Sequence, residues 1–144
     1  MRTMRQFVEK YGITMKVEPE NARPDGLMAD SARHFRCTLR FPAHQMNHTT
    51  RAARIVVHFS QGSAHNADPT PAEVLSCMAS DSAGWENCKG DFNEWCREYG
   101  YSFEDRDAER KARKVYNAVE RQVKQLGNLV GFAYEELLYR TEGL

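Results

Sequence analysis

The stretch Met4-Arg5-Gln6-Phe7-Val8-Glu9-Lys10-Tyr11-Gly12-Ile13-Thr14-Met15-Lys16-Val17-Glu18 carries two periods in succession. Met4, Phe7, Val8 and Tyr11 recur at helical spacing behind Thr3, a capping residue, and Gly12 stops the helix. From Ile13 the period changes to two: Ile13, Met15 and Val17 alternate with Thr14, Lys16 and Glu18, the pattern of a half-buried strand that Pro19 ends. Pro24-Asp25-Gly26 marks a turn in the connection that follows. A second strand places Phe35, Cys37, Leu39 and Phe41 on one face and His34, Arg36, Thr38 and Arg40 on the other, and Pro42 closes it. A polar connection over 42–51 leads to a third strand, Arg54 to Phe59, with Ile55, Val57 and Phe59 sharing a face. Short connections between alternating strands predict an antiparallel meander.

The second half reads as helices. Thr70-Pro71-Ala72-Glu73 combines a capping box with proline at the first helical position. Val74, Leu75, Met78 and Ala79 form the inward stripe of a helix expected to end before Gly84. Asp91-Phe92-Asn93-Glu94 starts another, with Phe92, Trp95, Cys96 and Tyr99 apolar and Gly100 as the stop. The longest helix is expected over 105–126, and Asn128 is expected to cap a last one through Leu138. The fold class is therefore α+β: an N-terminal helix, a three-stranded antiparallel sheet, then a helical C-terminal half packed on the sheet. The expected core is Phe35, Leu39, Ile55, Val57, Phe59, Leu75, Met78, Trp95, Val115, Val119 and Phe132. Without repeat or linker, 1–144 reads as one domain, with 1–60 as helix plus sheet and 70–138 as helices.

With 144 residues, 41% hydrophobic and 28% charged, the composition excludes a disordered or low-complexity chain. No apolar run reaches the roughly 18 residues of a membrane helix. Met1-Arg2-Thr3-Met4-Arg5-Gln6 lacks the apolar stretch of a signal peptide, which points to the cytoplasm. The formal net charge is zero, so bulk attraction to nucleic acid or membrane is not implied and direct nucleic-acid binding is not expected. The zero hides an asymmetry. Residues 1–60 hold ten Lys/Arg against five Asp/Glu, and residues 61–144 hold ten against fifteen. The acidic excess gathers between Asp81 and Glu109. Its members Glu86, Asp91, Glu94, Glu98, Glu104 and Asp105 are carried by two successive helix starts and their connection, and are expected to form one docking face for a basic partner. The ordinary alternative is a set of solvated helix faces.

Signatures of phosphate loops, dinucleotide folds, zinc proteases and serine hydrolases are absent, so no catalytic residue is assigned and a binding protein rather than an enzyme is expected. An alternative anion site is Ser60, Gln61, Ser63 and His65, where a strand leads toward a helix and Asp68 stands near enough in sequence to orient His65. Such a site serves a small enzyme or a nucleic-acid-binding accessory protein. Cys37, Cys77, Cys88 and Cys96 read as reduced thiols that pack as small apolar groups. A zinc site from Cys77, Cys88, Cys96 and His65 has no Cys-x-x-Cys pair behind it, and no metal or cofactor is expected. Glu104-Asp105-Arg106-Asp107 suits the positive end of a helix better than a magnesium site.

Several segments together carry a resemblance: Phe7 to Gly12 with Ile13-Thr14-Met15, Phe59-Ser60-Gln61-Gly62-Ser63 with His65, Pro71 to Leu75, Ala79-Ser80-Asp81, Glu86-Asn87, Phe92 with Trp95-Cys96, Glu98-Tyr99-Gly100-Tyr101, Ala108-Glu109-Arg110 and Glu136-Leu137-Leu138. Over nearly its whole length the chain resembles a family of small proteins encoded by bacteriophages, prophages and other mobile elements. Small phage accessory proteins of this kind include anti-CRISPR inhibitors. The resemblance implies host-defence evasion by occupation of a surface on a host defence complex, a CRISPR–Cas effector being the expected partner. It implies no catalytic motif.

Overall fold

The computed structural model describes residues 1–21, 32–42, 52–62 and 66–144. Along the chain run α1 (Met4–Tyr11), β1 (Thr14–Glu20), β2 (Arg33–Phe41), β3 (Ala53–Gln61), α2 (Pro71–Asn87), α3 (Phe92–Tyr99), α4 (Arg106–Val130) and, after a 3-10 turn at Gly131–Ala133, α5 (Tyr134–Tyr139). The strands form one antiparallel sheet in the order β1-β2-β3. This is the α+β arrangement that the two hydrophobic periods predict.

The helix starts follow their caps. Thr3 Oγ1 accepts from the Gln6 amide while Gln6 Oε1 accepts from the Thr3 amide, a complete capping box on α1. Thr70, Asp91 and Asp105 cap α2, α3 and α4 in the same way, each accepting from the amide three residues on. Gly12 and Gly100 end α1 and α3 in left-handed conformations, φ 65° and 74°, which side chains with a Cβ resist.

Alternation sorts the sheet into two faces. Phe35, Cys37, Leu39 and Phe41 are buried against α1, α2, the end of α4 and α5. Register places Leu39 between Met15 and Ile55, and Phe35 beside Phe59. Pro19 does not end β1, which continues to Glu20. β1 lies at the sheet edge, where a residue without an N–H need not break a ladder bond.

Three further boundaries differ from the sequence expectation. α2 does not stop at Gly84 but runs to Asn87. A Cβ on Gly84 would stand 1.6 Å from the Tyr99 hydroxyl, so this glycine makes room for α3 rather than breaking a helix. α4 passes through Gly127 and Asn128 to Val130, and Asn128 caps nothing. Leu126, Leu129 and Val130 continue its buried stripe into the main core, and that burial outweighs the roughly 1 kcal/mol that a mid-helix glycine costs. Phe132, expected inside, is 60% exposed because the chain turns at Gly131 and carries the ring outward, edge-on to Tyr11.

The apolar interior has two clusters. The larger joins the sheet to α1, α2, α5 and the end of α4. The smaller is built from Trp95, Cys96, Ala112 and Tyr116 with Trp85, Phe92, Phe103, Val115 and Val119 around them. Trp95 stacks on Tyr101 at 4.8 Å, and Tyr116 donates its hydroxyl hydrogen to the Gly90 carbonyl. Trp95, Val115 and Val119 therefore belong to a cluster of their own rather than to the sheet core.

One carboxylate ties the ends of the chain. Glu136 on α5 accepts from Tyr11 Oη at 2.7 Å and Lys10 Nζ at 2.9 Å on α1, and pairs with Arg2 at 3.4 Å. Burial acts to raise the Glu136 pKa, but the hydrogen bonds from Tyr11 and Lys10 and the charges of Lys10 and Arg2 outweigh it, and the value lies below its ordinary 4.5. A lowered folded-state pKa means stability present above the unfolded value and lost as pH falls through the folded one. Glu136→Gln is expected to cost about 1–2 kcal/mol at neutral pH. In denaturant titrations the gap to the wild type should close below pH 4.5. A gap that stays constant down to strong acid rules out this role for the carboxylate.

Candidate functional site: the acidic corner at α2 and α3

α2 ends at Asn87, and the chain turns into α3 through Lys89 and Gly90, both in the left-handed region at φ 54° and 70°. The turn brings the start of α3 beside the end of α2. Asp91 Oδ1 accepts from the Glu94 amide at 3.0 Å and holds the first turn. Glu94 pairs with Arg97 at 2.9 Å, and Glu98 follows one turn later on the same side. Burial, followed by the charges of Glu98, Glu94 and Asp91, pushes the Cys88 thiol above its ordinary value. Glu94 and Glu98 line a cleft of about 430 Å³ with Gly84, Asn87, Cys88, Lys89 and Tyr99.

Of the six acidic residues singled out in the sequence, Asp91, Glu94 and Glu98 recur at helical spacing along one side of α3. Glu86 turns to the other flank of α2, where its Oε1 accepts from Tyr134 Oη on α5 at 3.0 Å. Burial and then that bond push the Tyr134 hydroxyl well above its ordinary value. After Gly100 the chain runs back along α3: Tyr101 stacks on Trp95, and the Phe103 ring lies 6.4 Å from that of Phe92 at the start of α3, so Glu104 and Asp105 follow a residue packed against that start. Asp105 accepts from the Ala108 amide at 2.8 Å, and Asp107 pairs with Arg110 at 3.6 Å.

The alternative anion site divides across the sheet. Ser60 and Gln61 both belong to β3, so their side chains leave opposite faces of the sheet. Ser60 Oγ meets His34 Nδ1 at 2.9 Å on the outer face. Gln61 is buried on the inner face, where its Nε2 donates to Glu73 Oε2 at 3.4 Å and its Oε1 has no hydrogen-bond partner. Ser63 and His65 lie outside the described residues. Asp68 pairs with Arg33 at 3.6 Å. Among the described residues no group of three or more His, Cys, Asp or Glu is arranged to hold a metal ion. All four cysteines are free thiols, and burial pushes Cys37 up to about 11.

The sequence reading passed over the outer face of the sheet. His34, on the strand face opposite the apolar residues, is 5% exposed and bonded to Ser60. His58 Nδ1 lies 2.9 Å from Glu20, and Arg36 pairs with Glu18 at 3.3 Å. The signal lay in strand register, which pairs residues 18 and 36 and residues 36 and 58 directly but cannot be counted from one strand alone.

No protein-family model, no curated protein and no solved structure matches this chain. Among the described residues no helix is long and apolar enough to cross a membrane.

Proposed function

We propose that this chain is a stoichiometric inhibitor of the anti-CRISPR kind, made by a phage or mobile element, which binds a host defence complex through the acidic corner at α3. The observation behind this reading is the row of Asp91, Glu94 and Glu98 along one exposed side of α3, with Glu94 and Glu98 lining one cleft. All three are exposed, and of their carboxylates only Glu94 is ion-paired among the described residues. Carboxylates held in a row by a helix start take the place of phosphates in a Lys/Arg groove that guides nucleic acid. Such complementarity speeds encounter and makes it salt-sensitive. The resemblance to small phage-encoded proteins supplies the class of partner, a CRISPR–Cas effector. Glu86 has a lesser part in this reading, because its carboxylate accepts from Tyr134 Oη.

The test is capture of defence complexes from cells that carry them, using the tagged chain. A stoichiometric complex is expected. Glu94→Lys with Glu98→Lys should weaken it at least about tenfold, mainly through the association rate. The fold should hold, since exposed substitutions of this kind change stability by about 0.5 kcal/mol or less. Lys111→Glu with Lys114→Glu on α4 is the matched control. Arg113 is unsuitable there, because its guanidinium sits 3.8 Å from the Phe92 ring centre. Loss of capture in the α4 pair with full capture in the α3 pair defeats the proposal.

A further inference from the structure

The outer face of the sheet carries a second charged feature, of opposite sign. Arg40 on β2 and Arg54 on β3 are register partners, with Thr14 of β1 completing the row. Alternation puts both arginines on the outer face, and both are exposed. The neighbouring cations on this face each have a carboxylate: Arg36 and Lys16 lie 3.3 and 3.9 Å from Glu18, and His58 lies 2.9 Å from Glu20. Arg40 and Arg54 form no ion pair among the described residues. The β2–β3 connection next to them, residues 43–51, contains no Asp or Glu at all.

Two like charges directly opposite on an antiparallel pair destabilise it, and among the described residues no carboxylate pairs with either of them. Their β-carbons stand about 5 Å apart by strand geometry. Two guanidinium forks at that spacing suit phosphate oxygens, which each can bind in bidentate fashion.

We propose that Arg40 and Arg54 form a phosphate-binding site on the outer sheet face that takes the phosphodiester backbone of a nucleic acid without reading its bases. The face is open, so a single free phosphate gains only this one clamp, whereas a polymer offers adjacent phosphates to both arginines and to Lys16 beside them. The outer-face residues of the strands include no Phe, Tyr or Trp, so there is no platform on which bases would stack. Val56 is the one apolar side chain in this set, too little to enter a bilayer. The zero net charge of the chain does not oppose the site, because screening makes such contacts local, within about 10 Å at 0.1 M salt. This site is separate from the acidic corner and stands or fails without it.

The experiment is fluorescence polarisation of the full chain with a labelled single strand of about 20 nucleotides and with the matching duplex, over a salt series. Both probes are expected to bind, whatever their sequence. Neutralising two phosphates contributes about 1.8 to the log–log salt slope on duplex and about 1.4 on single strand. Arg40→Gln with Arg54→Gln should remove that part of the slope and weaken binding about tenfold at low salt. Arg110→Gln with Lys111→Gln on α4 should leave both readouts within about twofold. The arginine variant should melt no lower than the wild type, because it removes a like-charge pair. Unchanged affinity and slope in that variant overturn the proposal. So does preferential, Arg40- and Arg54-dependent binding of polyglutamate, which would make the occupant an acidic protein surface, or of phosphatidylserine vesicles, which would make it a membrane.

Discussion

Trp95→Ala is expected to lower stability by about 3–5 kcal/mol, close to the whole margin of a small domain. Trp95 is 3% exposed and is the hub of the smaller cluster. Its ring stacks on Tyr101 at 4.8 Å, meets Tyr99 at 5.5 Å and meets Tyr116 edge-on at 5.5 Å. Truncation leaves a cavity that α3 cannot close, because Tyr99, one turn on along the same face, already interlocks with Gly84. The loss should fall first on α3 and the start of α4, since their cluster is distinct from the sheet core. Hydrogen exchange is then expected to show α3 amides opening at lower free energy than those of β2, with β2 protection largely kept. A cost below about 1.5 kcal/mol would mean that the second cluster adds little to the fold. The acidic corner is built on α3, so the same variant should also lose partner capture under the proposed function. That distinguishes it from Glu94→Lys with Glu98→Lys, which leaves the helix in place.

The second large effect is expected at Leu39. Its side chain is fully buried at the middle of the central strand, flanked in register by Met15 and Ile55. Leu39→Ala should cost about 2–5 kcal/mol, the range for a buried leucine whose surroundings relax only partly. The informative comparison is Phe132→Ala. The hydrophobic pattern alone places both residues in the core. In the structure Phe132 is 60% exposed, so its truncation should cost no more than about 1 kcal/mol. Urea unfolding of the two variants side by side decides the matter. Equal losses would mean that the chain does turn Phe132 inward.

The elements themselves were legible in the sequence because their signals are local. The cap and stop of α1 at Thr3 and Gly12, the Thr70-Pro71 start of α2 and the alternation around Leu39 each depend on a few neighbouring residues. Steric limits on φ and ψ and the two side-chain periods dictate them wherever the chain lies. Burial of Trp95 and the shared side of Asp91, Glu94 and Glu98 on α3 followed for the same reason, since one short helix and its cap carry all four residues.

Glycine was the residue misread most easily. At Gly12 and Gly100 it ends a helix in a left-handed conformation, but at Gly84 it clears the path of Tyr99, 15 positions away, and only the packed structure distinguishes these uses. Pro19 likewise reads as a stop until the sheet order shows that its strand lies at an edge. The turn of Glu86 toward Tyr134, the return of the chain along α3 that sets Phe103 beside Phe92, and the meeting of Arg40 with Arg54 were decided by tertiary structure alone. Each depends on which elements become neighbours, a choice made by burying apolar faces together. Charged side chains on the far sides of those elements are placed by that choice without taking part in it.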